Sequence, residues 1–153
     1  MKTAKDILNQ KKSDIVCVPT GTSIEDTLLE MNQRKVGAIL VTRDDKVVGI
    51  WTERDLLRNI LNPSFDLKTA LIEDHMTTDL IYAPHNATVY DLMDKFLGLR
   101  IRHLLIEQGD AYIGIISGGD VMKAAIQEKD DELKQLNAMV GWEYYENWRW
   151  KPK

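Results

Sequence analysis

The stretch Gly49-Ile50-Trp51-Thr52-Glu53-Arg54-Asp55-Leu56 decides how this chain is read. It has the form of a strand that ends, turns and opens a helix. Thr52 suits a helix N-cap, and Glu53 and Asp55 fall in the first turn, where negative charge favours the helix dipole. The pattern returns at Gly114-Ile115-Ile116-Ser117-Gly118-Gly119-Asp120-Val121, an offset of 114 − 49 = 65 residues. One octet alone reads first as structure, a capping-box-like pair of Thr52 and Asp55. Two octets with the same glycine, hydroxyl and acid spacing add a functional reading. A hydroxyl and free backbone N–H groups at a helix start hold phosphate. An acid one turn later accepts hydrogen bonds from ribose hydroxyls, as acids do in other nucleotide sites.

Working outward, the octets sit in a longer repeat. Ala4 to Leu8 reads as a helical turn, and Gln10 to Asp14 as a polar connector. Ile15 to Val18 is a β-branched run stopped by Pro19, hence a short strand. A helix starts near Thr22 or Ser23, with Thr22 and Glu25 spaced for a capping box. Ile24, Leu28 and Met31 give it one apolar face. Val36 to Val41 and Val47 to Trp51 form a hairpin through Arg43-Asp44-Asp45-Lys46. Thr52 opens a second helix carrying Leu56, Leu57, Ile60 and Leu61, closed by Asn62-Pro63. The order then recurs. Ile72 to Met76 answers Ala4 to Leu8, Pro84 answers Pro19, and Val89, Met93 and Phe96 repeat the helical face. Between Val18 and Arg58 the copies align without a gap, with seven identities in 41 positions. The conserved order of faces, turns and octets, more than the identities, marks an internal repeat. Each unit is β-α-β-β-α and buries little surface alone, so two copies packed through their sheets should share a core and leave a cleft lined by the octets.

Composition narrows the function. The chain has 153 residues, 44% hydrophobic and 29% charged, with a net charge of −4. That balance does not favour nucleic acid as a partner. The longest apolar runs are too short to span a membrane. The start, Met1 to Asp6, has no apolar signal-peptide core, so a cytoplasmic setting is expected. Cys17 is the only cysteine, which excludes an intrachain disulfide and a thiolate cluster. Its place in a predicted strand suggests a buried, inert thiol. His75, His85 and His103 lack metal-ligand spacing. Walker-type and Rossmann fingerprints are missing. Trp51 is a candidate for stacking on a base or for packing in the core.

These features together resemble a tandem pair of cystathionine-β-synthase (CBS) domains, the Bateman module. The resemblance rests on the two octets in register, the strand–proline–helix openings and the Arg102-His103-Leu104 strand, and it covers residues 1 to about 127. It implies an α+β fold of two β-α-β-β-α repeats, 1–62 and 63–127, related by a pseudo-twofold axis. Residues 128–153 would add a C-terminal helix and an aromatic tail. It further implies a regulatory, non-catalytic module that binds an adenosine compound (AMP, ADP, ATP, S-adenosylmethionine or NAD) in the central cleft. Asp55 and Asp120 would face ribose hydroxyls, with Thr52 and Ser117 near ribose or phosphate. Arg102 and His103 match a basic strand position used for phosphates, with Arg54 as a further cation. The first copy has Gly37-Ala38 at that position and Glu53 at its helix start. On this reading the second octet, with Asp120, Arg102 and His103, makes the tighter site.

Beyond Ala125-Ile126 the chain is charged. Leu133, Leu136 and Val140 then continue one helical face to Gly141, a natural C-cap. Trp142, Tyr144, Tyr145, Trp148 and Trp150 crowd the end, and such a density of aromatics does not fit a disordered tail. They are expected to pack on their own domain or on a dimer mate. Family pairs associate as disc-like homodimers, and with no effector domain in this sequence, output is expected through a regulated protein partner in trans. The competing reading is a nucleotide-independent module that works through dimerisation and protein contacts. An enzyme is a third, without a second acid or base to support it.

Overall fold

The structure, a computed structural model, describes residues 1–12 and 15–147, with side chains given to residue 139. Two three-stranded sheets form its frame. In the first, β1 (Cys17–Pro19) runs parallel to β2 (Ala38–Arg43), which pairs antiparallel with β3 (Lys46–Thr52). In the second, β4 (Tyr82–Pro84) runs parallel to β5 (His103–Gln108), which pairs antiparallel with β6 (Ala111–Ser117). The registers repeat at the 65-residue offset. Cys17 faces Leu40 as Tyr82 faces Leu105, and the pairing slips after Val41 as it does after Ile106. Pro19 and Pro84 end the edge strands, where a missing N–H breaks no ladder bond. Asp44 and Asp45 both take positive φ in the first two-residue hairpin, and Gly109 does so in the second, the backbone that tight hairpins need.

Each sheet is covered by helices. α1 (Ala4–Lys11) is capped by Thr3, whose hydroxyl accepts from the Asp6 N–H. α2 (Ile24–Arg34) starts from Ser23, whose hydroxyl accepts from the Asp26 N–H. The expected Thr22–Glu25 box does not form, because the Thr22 hydroxyl donates to the Pro19 carbonyl at 2.7 Å and is spent in the turn. α3 (Glu53–Ile60), α4 (Val89–Leu99) and α5 (Gly118–Asn147) complete the set. α1 extends one turn beyond the expected Ala4–Leu8, which carries Lys11 into the body of the protein. α5 runs through Gly141 without stopping, so that glycine is not its C-cap. Trp148 and Trp150 of the expected aromatic tail lie outside the described residues. The side chains of Trp142, Tyr144 and Tyr145 do too.

Packing exchanges the leading segments. Ala4 and Ile7 of α1 are buried with Ala83, Leu92, Leu104 and Ile116 of the second sheet's core. Ile72, from the short 3-10 turn Ile72–Asp74, is buried with Val18, Ile24, Ile39 and Trp51 of the first. Backbone bonds fix the exchange. The Ala4 N–H donates to the Ala87 carbonyl and the Val89 N–H to Lys2, while the Ile72 N–H donates to Thr22 and the Ile24 N–H to Ala70. The octet glycines are the contact points. A Cβ on Gly114 would stand 2.5 Å from Leu8 Cδ2, and one on Gly49 would run into Met76 Sδ. Each glycine is therefore a gap that the other half's leading segment fills.

One expectation is corrected here, and one open alternative is decided. Cys17 is exposed, because β1 alternates and turns Val16 and Val18 inward. Partial burial raises its thiol pKa above the ordinary value. Trp51 is fully buried, and its indole N–H donates to Asn59 Oδ1 at 3.0 Å. It is a core residue with a satisfied polar tip and stacks on no ligand. Among the described residues, no helix is long and apolar enough to cross a membrane.

Candidate functional site

β3 delivers Thr52 to the start of α3, and the capping box sets Asp55. Asp55 Oδ2 accepts from the Thr52 backbone N–H at 2.9 Å and from its hydroxyl at 3.1 Å. The second carboxylate oxygen, Oδ1, has as its nearest cation the Arg58 guanidinium at 3.8 Å, on a side chain 73% exposed. One oxygen of Asp55 thus holds the helix and the other is left to accept. The structural reading of the octet, a capping box, is what this side chain forms.

Asp55 opens into a cleft of about 260 Å³, lined also by Thr52, Arg54, Arg58, Thr77, Asp79, Arg100, Arg102 and His103. Thr77 is held at its edge by a mutual backbone pair with Ile50, at 2.8 and 2.9 Å. Four arginines against two carboxylates leave a surplus of two positive charges in the lining, 4 − 2.

A second cleft, of about 340 Å³, is built from the matching positions of the opposite pairing. Ser117, Ile115 and Gly114 meet Gly37-Ala38, with Lys11, Arg34 and Lys35 as cations and His103 shared between the two clefts. Each cleft therefore joins the octet of one repeat to the strand entry of the other. The expectation that Arg102 serves the second octet is corrected on this ground: its side chain lines the cleft of Thr52 and Asp55. Gly37-Ala38 fall to the second octet instead. Glu53 does not line the first cleft. Its carboxylate lies over Gly37, where an added Cβ would stand 3.2 Å from its Cδ, and it lines a separate pocket with Leu28 and Lys35.

The second octet is wired differently. Asp120 Oδ2 accepts from the Ser117 N–H at 2.9 Å and from the Lys11 ammonium at 2.9 Å. Lys11 donates again to the Ile115 carbonyl at 3.3 Å. Burial pushes the Asp120 carboxyl upward, but the Ser117 N–H and the Lys11 ammonium outweigh it and hold it below the ordinary carboxylate value. Asp120 does not line the second cleft. It lines a small pocket beside it, and Lys11 lines both. Thr52 donates its proton to Asp55 Oδ2 at 3.1 Å, and Ser117 accepts from the Asp120 N–H at 3.2 Å.

His103, opposite Ser117 in the β5–β6 register, is mostly buried. That burial and the nearby Lys11 ammonium hold its pKa below the ordinary imidazole value, while Asp120 and Glu53 pull the other way. At neutral pH it is a neutral ring with one donor and one acceptor.

Sequence reasoning missed Lys11, Arg58, Arg100, Thr77 and Asp79. One signal was present: Lys35 and Arg100 are basic residues at the same place in the two copies, 65 apart. Both end their helices with positive φ, just before the strands that enter the clefts.

Comparison with known proteins agrees with this architecture. The CBS domain family model matches residues 4–62 and 72–127. A mitochondrial CBS domain-containing protein of Arabidopsis thaliana, CBSX3, is 33% identical over 126 residues, or 79% of this chain and 61% of the relative. The chain thus spans less than two thirds of that relative's length. The crystal structure of a CBS-domain protein from Agrobacterium tumefaciens is 35% identical, covers 81% of this chain and 99% of its own, and superposes with a TM-score of 0.75. The fold is also that of CBSX2, solved in complex with AMP, at 23% identity and a TM-score of 0.66 over 84% of this chain and 99% of that one. With two matched repeats, the octets in register and the exchanged leading segments, this chain belongs to the CBS domain family as a tandem pair.

Proposed function

We propose that this CBS pair is a regulatory module that binds an adenosine nucleotide in the first cleft and acts on a protein partner in trans. The observation that carries the reading is the Asp55 carboxylate, whose Oδ1 has only a long 3.8 Å ion pair to the exposed Arg58, lining one cleft together with Arg54, Arg100 and Arg102. Asp55 accepts the ribose hydroxyls. Thr52 offers an oxygen lone pair beside it. The arginines take the phosphate, and the surplus of two positive charges matches a monophosphate dianion, with guanidinium forks suited to bidentate bonds with its oxygens. His103 donates or accepts at the phosphate end. Ile50, Ile81, Ile101 and Leu105 supply apolar wall for the base. AMP, the ligand of the CBSX2 structure, is the first compound to test, with ADP, ATP, NAD and S-adenosylmethionine beside it. Titration calorimetry should show AMP binding to the wild-type chain that Arg102→Ala weakens. No heat and no melting shift with any of the five at millimolar concentration would end this reading.

A second reading, assembly through apolar faces, is supported by a different observation. Leu57, Ile60 and Leu61 at α3 are 57–82% exposed, and no residue of α3 is buried. At the other end, Leu97 of α4 and Met122 and Ile126 of α5 are exposed along a groove of about 520 Å³. Faces of this kind mark interaction sites. They support a homodimer, and light scattering at micromolar concentration tests it: a mass near 17.6 kDa would count against it.

A further inference from the structure

We infer that Lys11 is a lock on the second cleft. Its ammonium holds Asp120, the acid that would receive a ribose, so the chain takes one adenosine compound, in the first cleft, until Lys11 is displaced. This rests on the nucleotide reading above and adds to it which half is open and why.

Three observations converge on Lys11. It contacts the octet acid of the second half at 2.9 Å, whereas the nearest cation to Asp55 stands at 3.8 Å on a largely exposed side chain. It is anchored twice, on Asp120 and on the Ile115 carbonyl. It also stands between Asp120 and the cleft, since it lines both the second cleft and the small pocket that holds Asp120. The pair lies at the surface, with side chains 32% and 25% exposed. A ribose hydroxyl is a neutral donor. Coming from the second cleft it meets the Lys11 side chain before Asp120, and to bond the Oδ2 atom that Lys11 and the Ser117 N–H share it would have to displace the ammonium from its counter-ion.

The asymmetry is written in the leading segments. Leu8 fills the gap at Gly114 and Met76 fills the gap at Gly49. Three residues beyond Leu8 is Lys11, and three beyond Met76 is Asp79. α1 continues as helix to Lys11 and points it at the acid. The other segment leaves its turn after Asp74 and pairs at Thr77, so Asp79 lines the first cleft and no cation is driven onto Asp55.

The test is the stoichiometry of AMP by titration calorimetry on the full chain, in four proteins: wild type, Lys11→Met, Asp55→Asn and the double variant Lys11→Met/Asp55→Asn. The expected values are one site per chain in the wild type, two in Lys11→Met, none in Asp55→Asn at the same concentrations and one in the double variant. Lys11→Arg, which keeps the cation, should stay at one. If Lys11→Met melts early, Lys11→Gln, which keeps a donor without the charge, replaces it and should also reach two. Two sites in the wild type, or one site in both the wild type and Lys11→Met, would overturn the lock while leaving the nucleotide reading standing. No binding by the wild type with one site gained in Lys11→Met would overturn the first-cleft reading and support the lock. No binding to any of the four would overturn both.

Discussion

Asp55 and Asp120 are the same residue in two copies of one motif, on equivalent helices at equivalent turns, and they face different surroundings. Asp55 caps its helix with one oxygen and presents the other to a cleft held by arginines. Asp120 makes the same backbone cap and then meets a lysine that arrives from α1. The difference comes from outside the motif, from the segment that the opposite half lends to each sheet. A repeated octet therefore specifies a local geometry twice, and the exchanged segments decide what each geometry is available to do.

The largest effect that would sharpen this contrast is on ligand affinity. Asp55→Ala should weaken AMP binding on the order of 10- to 100-fold, from roughly 1–3 kcal/mol for a polar contact left unpaired. Asp120→Ala should change it by less than threefold. Calorimetry on both variants checks this, with melting curves alongside because each loses a helix cap worth about 1 kcal/mol. Equal losses would erase the proposed asymmetry. Next come the glycines, where the halves should behave alike. Gly49→Ala and Gly114→Ala each push a methyl into Met76 or Leu8, and overpacking of this kind costs about 1–3 kcal/mol. Urea unfolding should show similar losses, each partly relieved by Met76→Ala or Leu8→Ala respectively. Cross-relief, Leu8→Ala rescuing Gly49→Ala, would contradict the exchange.

A smaller effect follows from His103. Its folded pKa lies below the ordinary value of 6.5, so the unfolded chain binds the proton more readily. The stability this neutral ring contributes is intact above pH 6.5 and declines as pH falls below it. Melting temperature should drop by a few degrees between pH 7 and 5, and His103→Gln should flatten that part of the profile. The carboxylates held low by their caps, Asp6, Asp91 and Asp120, fail only at more acidic pH. The smallest difference is at the hydroxyls. Ser117→Ala should leave AMP affinity unchanged within error, and Thr52→Val should lower it by a few-fold because Thr52 lines the cleft proposed for the nucleotide.

The architecture was legible in the sequence because the signals were local. Pro19 and Pro84 stop strands, Asp44-Asp45 and Gly109 turn hairpins, and Thr52 and Asp55 announce a helix within four residues. Cys17 and Thr22 were misread through the same locality. Alternation around Val16 and Val18, one residue out of step with the cysteine, turns its thiol outward, and the Thr22 hydroxyl was claimed by a turn before it could cap. The site was half legible. The octets gave Thr52, Asp55, Ser117 and Asp120, but which strand meets which octet is set by how two sheets pack, and Arg102 was assigned to the wrong partner. Lys11 carried no local signal. Its role depends on a contact 109 residues away, on a helix one turn longer than its apolar pattern suggests.

The exchanged leading segments also bear on how this molecule is assembled and taken apart. Ile72 belongs to the first sheet's core, yet it is tied by a short stretch of chain to β4 of the second; Ala4 and Ile7 belong to the second core and lead straight into β1 of the first. Neither sheet can shed its borrowed piece without tugging on the other. Unfolding should accordingly be a single transition by every probe, despite two separate apolar clusters. A protein cut in the linker near residue 66 should yield two fragments that are each incomplete alone and that regain structure only on mixing, each supplying the other's missing wedge.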